Sequence, residues 1–142
     1  MSHDPIRFDI QLPDLLQHLA NTHPIINETG IDTKFQHLIW LRASQINGCG
    51  YCVKMHTSEA RKDGETNARL DHLAAWHSVD DFTPAEKAVL AWTEALTNLS
   101  YSQDRAPLVS ELRKHYSEKE IAAQTITIAM INLWNRIQIA NH

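Results

Sequence analysis

The sequence predicts an all-α fold, a single-domain bundle of about six helices, and three observations carry that expectation. Proline and glycine occur only at Pro5, Pro13, Pro24, Gly30, Gly48, Gly50, Gly64, Pro84 and Pro107, and the stretches between them place apolar residues at three- and four-residue steps. Two capping boxes, Thr83-Pro84-Ala85-Glu86 and Ser117-Glu118-Lys119-Glu120, mark helix starts. Hydrophobic residues make up 43% of the 142 positions, and a domain of that size buries about two-thirds of the surface its unfolded chain exposes.

The first helix is expected at about Pro13 to Ala20, where proline fits the opening turn and Leu15, Leu16 and Leu19 form an apolar stripe. Thr22 to Gly30 reads as a turn. A second helix, about Asp32 to Ile46, carries Phe35, Leu38, Ile39, Arg42 and Ile46 at helical spacing, with Asp32 able to cap its free amides. Asn47 and Gly48 tolerate the left-handed backbone that ends a helix, so the next can start at Cys49 and run to about Lys62, with Gly64 as its stop. A helix over about Thr66 to Trp76 turns Leu70 and Leu73 inward. The Thr83 box opens another, through Val89, Leu90, Trp92 and Leu96 to Asn98, and a polar loop from Ser100 to Asp104 leads to a shorter helix at about Arg105 to His115.

The Ser117 box opens the last helix, with Ile121, Ile126, Met130, Leu133, Trp134 and Ile137. The β-branched alternation from Thr125 to Ile128 has a strand-like pattern, but the cap and the surrounding helix formers decide for helix. Because it is apolar on more than one face, this helix predicts a place in the core or against a partner subunit, hence an oligomer.

A net charge of −4 with no basic patch offers nothing to phosphate backbones, so nucleic acid is not an expected partner. The first twenty residues, with Asp4, Arg7, Asp9 and Asp14, lack the apolar segment of a secretory signal, and no apolar run reaches the ~18 to 20 residues a membrane span needs. A cytoplasmic protein without a membrane partner is expected. The two cysteines lie three positions apart, which is not how secreted mini-proteins staple their loops.

The spacing points to chemistry instead. A thiolate is the nucleophile in disulfide exchange, and a helix's first turn stabilises it through unpaired amides and the positive end of the dipole. Cys49, Cys52 and His56 fall at offsets of three, four and seven, which share one helical stripe, so His56 can touch Cys52 and accept its proton near neutral pH. Residues three apart on a helix hold their Cβ atoms roughly 5 to 6 Å apart. A disulfide wants about 3.5 to 4.5 Å, so bonding requires a modest rearrangement of the first turn. Two other readings are weaker. The cysteines could be buried filler. Cys49, Cys52, His56 and His37 could bind zinc, but structural zinc sites usually draw ligands from separated elements. Neither a cofactor nor a metal is expected.

The segment Leu41-Arg42-Ala43-Ser44-Gln45-Ile46-Asn47-Gly48-Cys49-Gly50-Tyr51-Cys52, followed by His56, closely resembles the alkylhydroperoxidase D-like family of the carboxymuconolactone decarboxylase superfamily. The match continues through Ala60-Arg61-Lys62-Asp63-Gly64-Glu65-Thr66, Ala91-Trp92-Thr93-Glu94-Ala95-Leu96-Thr97 and Asn132-Leu133-Trp134-Asn135-Arg136. The resemblance implies an all-helical fold assembled into homo-oligomers, commonly trimers or hexamers, and a peroxidase or disulfide reductase activity. It further implies that a hydroperoxide oxidises Cys52 to a sulfenic acid and that Cys49 resolves it as a disulfide. A dihydrolipoyl group or a peroxiredoxin-type thiol protein would restore the dithiol.

In the same family a histidine four residues after the second cysteine, here His56, belongs to a proton relay, and a glutamate twelve residues before the first cysteine completes it. This chain has His37 there. A carboxylate would orient and charge-stabilise an imidazolium, whereas a second imidazole relays protons but is neutral near pH 7, so the relay is expected to be tuned differently. Tyr51 fills the slot where some relatives carry another histidine. Members that decarboxylate a lactone generally lack the cysteine pair, which ranks that activity low. A binding or assembly protein with vestigial thiols is the competing class.

Overall fold

The computed structural model describes Ser2 and residues 4–142. Among the described residues it contains nine α-helices and one 3-10 helix and no strand, so the all-helical expectation holds and the count of about six is too low. The α-helices are α1 (Phe8–Gln11), α2 (Pro13–Ala20), α3 (Thr22–Asn27), α4 (Thr33–Asn47), α5 (Gly50–Lys62), α6 (Asn67–His72), α7 (Pro84–Asn98), α8 (Ala106–Arg113) and α9 (Glu118–Asn141).

Two of the additional elements come from the N-terminal arm. Pro24 suggested a turn, yet it is the third residue of α3, where the amide it lacks would have no partner inside the helix anyway. The short α1 follows Arg7, whose guanidinium pairs with Asp9. The helix expected from Thr66 to Trp76 is also split: α6 ends at His72 and a 3-10 helix, Leu73–Ser78, takes over, with Ala75 departing from helical backbone. Within it Leu73 is fully buried and the Trp76 indole donates to Glu94 at 2.8 Å, so contacts with α4 and α7 override the local helical pattern.

α4 is the central element. It packs against α5, α7 and α9, and its Phe35, Leu38, Ile39 and Leu41 join Val89, Leu90, Leu112 and Ile128 in the main core. A leucine or isoleucine fully withdrawn from water contributes about 1.5 to 3 kcal/mol, which makes this cluster the main apolar contribution to stability. Both capping boxes form as the sequence predicts, at Thr83/Glu86 and Ser117/Glu120, and Asp32 caps α4 through the amides of Lys34 and Phe35.

A buried polar chain stitches the C-terminal half of α4 to α9 and α7. Asn135, with no exposed surface, donates to Ser44 at 2.9 Å and accepts from Asn47 at 2.9 Å, while Ser44 donates to the Trp40 carbonyl at 2.7 Å. The Asn47 amide also reaches Asn132 at 2.9 Å, and Asn132 donates to Thr97 at 3.1 Å. A buried group stripped of its partner costs about 1 to 3 kcal/mol. Asn135→Ala, which takes one partner each from Ser44 and Asn47 but leaves them bonded to the Trp40 carbonyl and to Asn132, should therefore lower the unfolding free energy in urea by about 1 to 2 kcal/mol; an unchanged midpoint would show that the chain is dispensable.

Candidate active site

α4 ends as expected on Gly48, whose φ of 67° lies in the left-handed region that costs an ordinary side chain energy. The reversal brings Cys49 back so that its amide bonds the Ser44 carbonyl at 3.1 Å, and Cys49 becomes the N-cap of α5. Its backbone is extended (φ −80°, ψ 94°), which swings its side chain over the first turn of α5. Cys49 and Cys52 are joined as a disulfide across a Cα–Cα distance of 5.3 Å, and the Cys52 amide donates to the Cys49 sulfur at 3.3 Å. The rearrangement expected for two helical residues is thus already built into the cap, since only Cys52 has helical backbone.

Both cysteines are buried, Cys49 at 2% exposure and Cys52 at 1%. Cys52 nevertheless forms part of the wall of a cavity of about 310 Å³, together with His56. The remaining wall comes from four other helices, α2 contributing Ala20, and from the rest of α5. Trp40 stands on α4, Ile131 and Trp134 on α9, His23 on α3, and Met55 and Glu59 on α5. A larger hollow of about 480 Å³ adjoins it across Tyr51 and Trp134, but neither cysteine nor His56 borders that space.

Trp40 organises the imidazoles. His56 lies against its ring at 5.3 Å between centroids with a 36° tilt, His37 meets it edge-on at 5.3 Å, and His23 edge-on at 6.1 Å. His56 is buried, and burial is the main reason its pKa lies below the ordinary imidazole value. Glu59 pulls it upward in part, and His37 and His23 push it further down. Its Nδ1 is 3.4 Å from the Glu59 carboxylate but makes no hydrogen bond.

His37 is placed differently from the relay position that the resemblance implies. It does not border the cavity; its Nε2 bonds Asp63 at 2.5 Å, at the end of α5, and its Nδ1 is buried without a partner. The structure therefore brings Cys49, Cys52 and His56 together as the spacing predicts, and turns His37 toward a different carboxylate.

Sequence reasoning missed His23, Glu59 and the aromatic walls. Glu59 was accessible in principle, being three residues past His56 on the same helix. His23 was not, because it arrives from α3, over a hundred positions from Trp134. The Trp134 indole donates to His23 Nε2 at 2.8 Å, so that nitrogen must carry the lone pair, and burial holds the His23 pKa below its usual value. Among the described residues no three His, Cys, Asp or Glu side chains converge on a metal-binding cluster.

An all-helical bundle that opens a helix on a Cys-x-x-Cys pair, immediately after its central helix, is of the alkylhydroperoxidase D-like class. The chain belongs to the carboxymuconolactone decarboxylase family, whose family model matches residues 13–95. It is 37% identical over 128 residues to an uncharacterized protein, YdfG, of Bacillus subtilis strain 168, covering 90% of this chain and 87% of that one. A crystal structure of a protein of unknown function from Agrobacterium tumefaciens, described as a candidate antioxidant defence protein AhpD, is 33% identical. The two superpose with a TM-score of 0.90 over 97% of this chain and 94% of that one.

The depressed pKa values of His23 and His56 set the sign of a pH effect. Below about pH 6.5 the unfolded chain binds more protons than the folded one, so stability is lost as pH falls through that value toward the folded pKa values. His23→Gln keeps an acceptor for Trp134 but does not titrate. The drop in urea midpoint between about pH 7 and 5 should be smaller in this variant than in the wild type; an equal drop would show that His23 does not contribute.

Proposed function

We propose that the chain is a thiol-dependent peroxidase or disulfide reductase, an oxidoreductase of antioxidant defence that cycles Cys49 and Cys52 between dithiol and disulfide. The observation that carries this reading is that Cys52, bonded to a second cysteine at a helix N-terminus, faces a cavity that also holds His56. The Agrobacterium relative, described as a candidate antioxidant defence protein, supports it.

In this cycle His56 takes the Cys52 thiol proton, and the thiolate attacks the outer oxygen of a hydroperoxide, ROOH. The S–O bond forms as the O–O bond breaks, and the alkoxide takes a proton to leave as ROH. Cys49 then attacks the sulfenic acid sulfur, forming S–S and releasing the oxygen as water. A dithiol donor, such as a dihydrolipoyl group or a peroxiredoxin-type protein, is oxidised as it returns the pair to two thiols. The aromatic and aliphatic walls of the cavity suit an organic R group better than a bare peroxide. His37 is the weaker member of this set, given its bond to Asp63.

Reduced protein treated with stoichiometric tert-butyl hydroperoxide should lose both thiols and yield the Cys49–Cys52 peptide as a disulfide by mass spectrometry. Cys52→Ser should abolish peroxide consumption, Cys49→Ser should accumulate a trappable sulfenic acid at Cys52, and His56→Gln should slow the first step about 100-fold or more. Intact peroxide consumption by folded Cys52→Ser would overturn the assignment.

The same reading takes the protein to be a cytoplasmic homo-oligomer, trimer or hexamer, of single-domain subunits. No described helix is long and apolar enough to cross a membrane. The outer face of α9 shows Ala122, Ile126, Ala129, Leu133, Arg136 and Ala140 at alternating steps of four and three, with Ile126 49% exposed. That is the seam spacing of packed helices, with small residues permitting close approach. Light scattering should give a multiple of the 16.2 kDa chain mass, and Ile126→Asp with Ala129→Glu should reduce it to one chain without loss of helicity. A wild-type monomer at micromolar concentration would refute the assembly.

A further inference from the structure

His56 has a buried Nδ1 without a hydrogen bond, and the carboxylate of Glu59, on the next turn of the same helix, lies 3.4 Å from it. The Glu59 side chain is 45% exposed, so a small torsional adjustment brings it into bonding range without disturbing the core. Contacts at active sites are often long before substrate binds and shorten as the site closes.

The other groups that surround His56 are engaged elsewhere. His37, from α4, is bonded to Asp63; His23, from α3, accepts from Trp134; and Trp40 offers its ring. From α9 the cavity wall receives Ile131, Trp134 and the uncharged Gln138. Among the described residues, Glu59 is thus the carboxylate paired with His56, and the charged groups that bear on His56 are Glu59, His37 and His23.

We propose that Glu59 is a positioning residue for His56: by accepting the Nδ1 proton it leaves Nε2 as the basic nitrogen, and it stabilises the imidazolium formed when Cys52 gives up its thiol proton. The inference rests on the dithiol reading above. It assigns to position 59 the carboxylate that the resemblance places at position 37, where this chain carries a histidine bonded to Asp63. The transfer is a proton exchange only, from the Cys52 sulfur to His56 Nε2, with the Nδ1 proton remaining in the bond to Glu59. Glu59 touches neither sulfur in this scheme and acts through the imidazole.

The test follows the imidazole itself. In reduced protein the His56 ring signals, assigned with His56→Gln, are titrated by NMR in wild type, Glu59→Gln and Glu59→Asp, and the alkylation rate of Cys52 by iodoacetamide is followed against pH in the same samples. A carboxylate this close raises an imidazole pKa by about one unit or more. Glu59→Gln should therefore lower the His56 pKa by about one unit, a tenfold loss in proton affinity, and move the midpoint of Cys52 alkylation to higher pH. Glu59→Asp should recover part of both shifts, which a merely structural role would not produce. A His56 titration and an alkylation profile that are the same in Glu59→Gln as in wild type would overturn the proposal. Peroxide consumption by wild-type protein judges the dithiol reading separately, because the NMR shift needs no turnover.

Discussion

The site depends on how one buried amide is satisfied. Asn135 lies in the middle of the bundle, where an unpaired carboxamide would be costly, and its partners Ser44 and Asn47 stand in the last turn of α4. Those bonds fix the end of the central helix against α9, immediately before the left-handed Gly48 and the cap at Cys49. The Cys49 amide's bond to the Ser44 carbonyl then carries that fixed helix end across the junction into α5, on which Cys52 and His56 stand.

The parts of this arrangement that were legible in the sequence are those governed by local rules. Capping boxes, a glycine after an asparagine, and a cysteine–histidine stripe depend on neighbours within a turn or two, and their physics is the same wherever they occur. Asp32, Thr83 and Ser117 cap their helices as read, and α4, α5, α7 and α9 start within a residue or so of the positions expected. Pro24 misled the reading because a proline in a first helical turn and a proline in a loop look alike until the rest of the helix is seen packed.

What was illegible is what three helices do together. No spacing rule links His23, His37 and His56, yet all three meet Trp40. The substitution of histidine at position 37 read as the loss of a carboxylate from the site, whereas the structure pairs His37 with Asp63, at the far end of α5. The likeness to the Agrobacterium structure extends over nearly the whole chain. It shows that the scaffold is common to both proteins.

The sulfur cap at Cys49 ties oxidation state to the energetics of α5. Once the pair is reduced, the helix terminus presents unpaired amides and a positive dipole to whichever sulfur carries the negative charge, an attraction that a neutral disulfide shares only weakly. Anything that stabilises the reduced form makes the oxidised form a better electron acceptor. The terminus therefore biases the couple toward taking electrons, whichever molecule supplies them.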